Sequence, residues 1–369
     1  MKTLTAGVVR LSRLLTSERE DLPAAYLKDE GLRKAYRAYF LPSNLSKIYK
    51  PLRELSLHPR DLLSKSKLRI LDIGAGPGTA LLGVLAFFSQ QEQKKPQLDF
   101  TAVDQVGGNL KIAEELFSSS RSTHKLDASL KTLHADIEGL ENLLHGDFDV
   151  IILSNVMNEL FAGDEGRTGK RASILDTILK KFLAGDGSCI IIEPALRETS
   201  REMLKVRDAM LEKGFRVYSP CFFIGNCPAL ANPKDWCHED IPWDPPPLVK
   251  EIDKLTGLRK DSLKFSYLVL RKDGLSLSDV CGSNSFRVVS DPLVSKGKRE
   301  LYVCGPGGRR LVTRLDKDAT PGNEHYETLK RGDCIRFEGL IDEGKRFKIG
   351  KETAVSYAEW PNLSASAQE

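Results

Sequence analysis

The stretch Leu71-Asp72-Ile73-Gly74-Ala75-Gly76-Pro77-Gly78-Thr79 constrains this chain more than any other. An apolar run, three alternating glycines and a second apolar run from Thr79 to Phe88 read as strand, tight loop and helix. Glycine at 74, 76 and 78 lets the backbone turn sharply and approach a ligand with no Cβ in the way. The helix that follows presents free N–H groups to the same place. A dinucleotide fingerprint would want a further glycine at 79, where this chain has Thr, and makes little use of an acid at Asp72. A sulfonium ligand with an amino-acid tail does use that acid, because a carboxylate there orders the loop and meets the ammonium group. The expected ligand is S-adenosylmethionine (SAM).

From Leu68 onward, short apolar runs alternate with helical periodicity, which favours a parallel sheet. Strands are expected at Arg69 to Ile73, Asp99 to Asp104, Thr132 to Asp136, Asp149 to Ser154 and Ser188 to Glu193, then Phe215 to Ser219 and Phe265 to Arg271. Helices are expected between them, among them Gly108 to Phe117, Ser173 to Phe182 and Arg197 to Lys213. The fold class is α/β, a seven-stranded Rossmann-like methyltransferase sheet whose last two strands form an antiparallel edge pair. Asp104 would end the second strand and accept both ribose hydroxyls; Asp136 would end the third and accept from the adenine amine. Singly, such acids serve as turn caps. With the glycine loop they make a cofactor signature: Asp72, Gly74, Gly76, Gly78, Asp104 and Asp136.

Three units are expected: residues 1–60 as a basic helical region, 61–275 as the SAM-binding unit with a Cys-rich insertion at 220–264, and 276–369 as a small, barrel-like β module. In the first, Tyr26, Leu32, Tyr36, Phe40 and Leu41 mark apolar helical faces; Pro42 is expected to end the run, and Thr16-Ser17-Glu18 to cap a helix. The charge is uneven: 14 Lys/Arg against 7 Asp/Glu over residues 1–68, 19 against 26 over 69–249, and 22 against 18 over 250–369. Basic flanks around an acidic centre suit contact with a phosphate backbone. With 41% apolar and 29% charged residues the chain reads as globular, and no run reaches the roughly 18 apolar residues of a membrane span. A bacterial-type cytoplasm is the expected location, with the mitochondrial matrix as alternative; a monomer and no membrane partner are expected.

After the fourth strand the chain reads Ser154-Asn155-Val156-Met157-Asn158-Glu159-Leu160. It lacks the Pro-Pro-aromatic turn with which many amine methyltransferases clamp a planar base. Asn155, Asn158 and Glu159 are the candidates for substrate contact, and the catalytic role stays unassigned. Cys189, inside an apolar strand, reads as core rather than nucleophile.

Three of the seven cysteines, Cys221, Cys227 and Cys237, fall close together among Pro220, Pro228 and Pro233. Thiolates gathered in stiffened loops suit a soft metal, either zinc or an iron–sulfur cluster. His238 adjoins Cys237, which strains shared ligation of one centre. Of the distant cysteines, Cys304 is preferred over Cys281, because it ends a strand before the flexible Gly305-Pro306-Gly307-Gly308 turn.

With these residues in hand, the chain resembles the methyltransferase-like family of mitochondrial small-ribosomal-subunit assembly factors, which has bacterial and archaeal members. The resemblance spans most of the chain. It rests on Ala35 to Pro42 with Asn44, the loop at 72–78, Asn155 to Leu160, Ser219-Pro220-Cys221 to Cys227-Pro228, Asp235-Trp236-Cys237-His238 and Phe265 to Leu270. It implies a four-iron–four-sulfur cluster on Cys221, Cys227, Cys237 and Cys304, and binding to small-subunit rRNA in the immature subunit, with or without methyl transfer. The competing expectation is a small-molecule or other RNA methyltransferase with a structural zinc site.

Overall fold

The computed structural model describes residues 1–18, 26–60, 62–92 and 95–358. Helices come first: α1 (Lys2–Leu15), α2 (Glu30–Ala35), α3 (Leu41–Leu45) and α4 (Tyr49–Leu55). Two sequence expectations shift here. Pro42 does not end the helical run but occupies the first turn of α3, where its missing N–H has no partner to lose. Thr16 closes α1 at its C-terminus, its hydroxyl donating to the Ser12 carbonyl at 2.7 Å, rather than opening a helix.

The central layer follows as β1 (Lys67–Ile73), α5 (Thr79–Ser89), β2 (Gln97–Asp104), α6 (Gly107–His124), β3 (Ala128–His134), β4 (Phe148–Ser154), α7 (Arg167–Phe182), β5 (Leu183–Pro194), α8 (Arg197–Glu212) and β6 (Arg216–Ser219). It closes with β7 (Glu239–Pro242), α9 (Pro247–Thr256) and β8 (Ser262–Arg271). The strands lie in the order β3-β2-β1-β4-β5-β8-β6. β1 to β5 are parallel, and β8 runs antiparallel between β5 and β6. The expected seven strands gain an eighth. Four-residue β6 covers only the Val269–Arg271 end of β8, and β7 pairs with the rest, Glu239 opposite Phe265 through Pro242 opposite Ser262.

Strand alternation sends Ile70, Phe100, Ile152, Ile190 and Val269 to one face, packed with Leu52, Leu81 and Leu85 of α4 and α5. Leu71, Ile151, Leu153, Ile191 and Leu268 go to the other, packed with Leu175, Leu179, Met203 and Met210 of α7 and α8. Cys189 is fully buried within that second core. A separate cluster joins Val8, Leu11 and Tyr39 of the N-terminal helices to Val249 and Ile252 of α9.

Beyond β8, α10 (Leu277–Cys281) leads into a second sheet of β9 (Ser285–Val288), β10 (Leu293–Ser295), β11 (Lys298–Gly305), β12 (Gly308–Leu315), β13 (Cys334–Glu338), β14 (Ile341–Asp342), β15 (Arg346–Ile349) and β16 (Ala354–Tyr357). Its order is β14-β15-β12-β11-β9-β13-β16, with β10 on β11. Among the described residues the end strands β14 and β16 do not pair with each other, so the module is an open sheet rather than a closed barrel. It curls around Phe286, Val303, Val312, Tyr326 and Phe337.

Candidate functional site

The carboxyl ends of β1, β2, β4 and β5 meet at one edge of the first sheet. All three loop glycines adopt positive φ, +67° at Gly74, +54° at Gly76 and +82° at Gly78. A Cβ at Gly74 would stand 2.4 Å from a Val156 methyl, so the loop after β4 closes directly over it. A Cβ at Gly76 would meet nothing within 4 Å, so the loop is open to the cleft there.

Asp72 is 1% exposed. Neither of its oxygens makes a well-formed hydrogen bond, although the Leu81 amide approaches the carboxylate. Burial, and then the like charge of Asp104, raise its pKa well above the usual carboxylate range. Asp104 is more committed than its sequence position implied. One oxygen accepts from Gly76 N–H at 2.8 Å, and the other accepts from Val106 N–H at 2.8 Å and from the Asn109 amide at 3.3 Å. The carboxylate thus ties the glycine loop to the β2–α6 loop, with lone pairs left over for a further donor. Asp136 lies two residues beyond β3, exposed, and caps the short turn Ile137–Asn142 by accepting from Glu138 N–H at 3.1 Å.

The loop after β4 is held from β5. Asn155 takes a left-handed φ of +59° and donates its N–H to the Ile192 carbonyl at 2.8 Å. Glu193, 1% exposed at the end of β5, accepts from Met157 N–H at 2.9 Å and from the Asn158 amide at 2.5 Å. Burial raises its carboxyl to about 7. Glu159 stays exposed, and its charge reaches Tyr26, Tyr36 and Glu193. The N-terminal helices roof this edge. The Tyr36 hydroxyl lies 3.0 Å from that of Thr79, at the start of α5, and Tyr26 lies within electrostatic reach of Asp104. Sequence reasoning missed Glu193, although an acid ending an apolar strand is the same signal that marks Asp72 and Asp104.

On the far side, the β6–β7 loop, α8 and the second sheet enclose a cavity of about 50 Å³ lined by Cys221, Cys227, Cys237 and Cys304 with Arg207 and Trp236. Cys304 comes from β11; Cys281 instead sits buried against Cys334. Burial, and then the charges of the other cysteines, push the Cys227 thiol up to about 11 and the Cys237 thiol up to about 12, with Cys304 well above its ordinary value. Arg207 is 1% exposed, donates to the Gly225 and Phe223 carbonyls at 2.8 and 3.0 Å, and pairs with Asp208, whose carboxylate receives Cys227 N–H at 3.0 Å. Arg207 Nε and Trp236 Nε1 are buried with no acceptor. Arg201 pins the loop by donating to the carbonyls of Ala229, Leu230, Asn232 and Asp235. Among the described residues no three His, Cys, Asp or Glu side chains are gathered tightly enough to share one metal ion.

A glycine-lined cleft at the carboxyl ends of a sheet ordered 3-2-1-4-5, with an antiparallel edge, defines the methyltransferase-like α/β fold. The family model described as "Mitochondrial small ribosomal subunit Rsm22" matches residues 32–336, and the chain belongs to that family. Similar solved structures include the plantazolicin methyltransferase BpumL in complex with SAH, at 14% identity over 73% of this chain and 96% of that one, TM-score 0.35. An O-methyltransferase family protein from Burkholderia thailandensis is 14% identical over 74% and 72% of the two chains, TM-score 0.37. The glycopeptide N-methyltransferase MtfA complexed with sinefungin is 12% identical over 60% and 93%, TM-score 0.36. At these scores they add nothing to the topology itself. No curated protein matches the chain. No helix among the described residues is long and apolar enough to cross a membrane.

Proposed function

We propose that this chain binds SAM at the β1–β2 edge, carries a four-iron–four-sulfur cluster, and works on or with small-subunit rRNA during ribosome assembly. One observation carries the reading: the same fold presents a buried carboxylate with no well-formed hydrogen bond in a glycine cradle and, on its far side, four thiols around one cavity.

Asp72 suits an ammonium group, since a buried carboxylate with no well-formed hydrogen bond is costly until a cation arrives. SAM supplies an electrophilic methyl group; this chain's residues bind and orient. Glu193 fixes the Asn158 amide, so Asn155, Asn158 and exposed Glu159 stand at the acceptor side of the cleft. Asp136, the exposed cap of the turn at Ile137–Asn142, contacts the adenine amine.

The thiols suit a metal centre, because at Cys227, Cys237 and Cys304 burial holds the proton until a cationic group replaces it. The orphan N–H groups of Arg207 and Trp236 suit the acceptor sulfurs of an anionic cluster. The division at 1–60, 61–275 and 276–369 and the monomeric state belong to this proposal, as does location in a bacterial-type cytoplasm or, given the family's name, the mitochondrial matrix.

Protein purified without oxygen is expected to contain about four irons and four sulfides per chain. It should also release heat with SAM and co-sediment with immature small subunits in a salt-sensitive way. Zinc without iron or sulfide would favour the alternative, a small-molecule or other RNA methyltransferase. Free migration at physiological salt, with no RNA recovered after crosslinking, would remove the ribosomal role.

A further inference from the structure

The walls of the thiol cavity carry donors as well as sulfurs. Trp236 Nε1 and Arg207 Nε are each buried with no acceptor among the described residues, and both side chains line the cavity with Cys221, Cys227, Cys237 and Cys304. A buried indole or guanidinium N–H ordinarily finds an acceptor, so two orphan donors at one cavity point to an acceptor that occupies it. Both are held in place. Trp236 lies between two pinned neighbours. The Asp235 carbonyl accepts from Arg201 at 2.6 Å and its carboxylate pairs with Arg309, while the Cys237 carbonyl accepts from the Ser266 hydroxyl at 2.8 Å. The Trp236 ring also stacks on that of His238, with 5.5 Å between centroids and 14° between planes. Arg207, 1% exposed, has its terminal nitrogens on Asp208 and on the Gly225 and Phe223 carbonyls, which sets the plane of its guanidinium. Asp208 offsets the guanidinium charge, so Arg207 offers the cavity an N–H dipole rather than a net cation.

We infer that the Trp236 and Arg207 N–H groups donate to sulfurs of the proposed four-iron–four-sulfur cluster and raise its reduction potential, so that the centre exchanges an electron besides stapling the two sheets. This rests on the cluster reading above. A cluster held by four thiolates is already anionic. Uptake of one electron from a low-potential one-electron donor adds negative charge, with no bond made or broken. Hydrogen bonds to sulfur strengthen as the sulfurs gain charge, so fixed donors favour the reduced form over the oxidised one. Neither residue is a ligand; each acts on the centre from the wall of its cavity.

Potentiometric titration of the full chain without oxygen, followed by electron paramagnetic resonance of the reduced cluster, tests it. Trp236→Phe keeps an aromatic ring against His238 and removes the N–H. At a fixed potential it should shift the ratio of reduced to oxidised cluster about tenfold toward oxidised, a fall of about 59 mV for one electron. Trp243→Phe, at a tryptophan that packs on the N-terminal cluster and does not line the cavity, should leave the ratio unchanged. With the indole nitrogen isotopically labelled, and separately with arginine labelled at Nε, the reduced cluster should show a coupling to nitrogen in each case. A cluster of full iron content whose potential W236F does not move overturns the inference and leaves the cluster reading standing. Should W236F lose its iron, the indole coupling of the parent decides: its presence supports the inference and its absence overturns it. Absence of the arginine coupling overturns the part given to Arg207. Iron-free material, or zinc in place of iron, overturns the cluster reading and this inference with it.

Discussion

Asp72 shows most directly how function and stability oppose each other in one side chain. An acid whose folded pKa is raised holds its proton more tightly folded than unfolded. Its stability contribution is therefore full below the unfolded value near 3.9 and is lost as pH rises through the higher folded value. Asn at this position has no charge to bury. Apo D72N is expected to match the parent near pH 4 and to exceed it at pH 8 by about 1–3 kcal/mol in denaturant melts. Calorimetry should show SAM binding weakened by roughly tenfold or more, the loss of one charge-assisted contact. A D72N protein that melts earlier than the parent at pH 8 would mean that the carboxylate is stabilised by something other than ligand. Asp72 and Asp104 were readable in the sequence because an acid that ends an apolar strand before a glycine loop has few other reasons to be there.

Between elements, Glu54 of α4 forms a fully buried cross-tie. One of its oxygens accepts from Arg287 of β9 at 2.7 Å and the other from the Tyr267 hydroxyl of β8 at 2.5 Å, all of it buried. Arg287 donates further to the Pro220 and Gly332 carbonyls at 3.3 and 2.8 Å. Burial alone would raise the Glu54 carboxyl, yet Arg287, Lys50 and Tyr267 hold it below its ordinary value. Its contribution is thus present above the unfolded value near 4.3 and is lost as pH falls through the lower folded one. E54A leaves the Arg287 charge buried without a partner and should cost about 3–5 kcal/mol in urea unfolding at pH 7. E54L combined with R287M should cost less than E54A alone; a larger loss would show that the ion pair itself, rather than the stranded charge, carries the stability. This tie was invisible in the sequence, since its partners on β8 and β9 lie 213 and 233 residues along the chain from Glu54. β4 and β5 were legible because each holds a nearly continuous apolar run, Val150 to Leu153 and Cys189 to Ile192, whereas β3 alternates polar and apolar residues and begins at Ala128, ahead of the expected Thr132. β7 was not, because Glu239-Asp240-Ile241-Pro242 has no strand pattern of its own and pairs only where short β6 leaves β8 uncovered.

At the scale of the whole molecule, the thiol cavity lies where the two sheets meet. Three of its cysteines come from the loop after β6 and the fourth from β11 of the second sheet. Around it, the Arg309–Asp235 ion pair and the Arg287–Pro220 contact also cross this boundary, and Arg309 is braced on the Tyr302 ring at 4.1 Å. A centre that bonds to both sides adds its binding free energy to the cohesion of the pair, because the site does not exist in the unfolded chain. Removing it by C304S, or by chelation after oxidation, should leave the first sheet folded on its two apolar cores. What should loosen is the segment 220–242 together with β11 and β12, as one cooperative unit. Hydrogen exchange read by mass spectrometry should then rise on the order of tenfold or more in both segments at once, while β1, β4 and β5 stay protected. If exchange rises only in 220–242 and leaves β11 unchanged, Cys304 is not a shared ligand, and the second sheet is held by its arginine contacts alone.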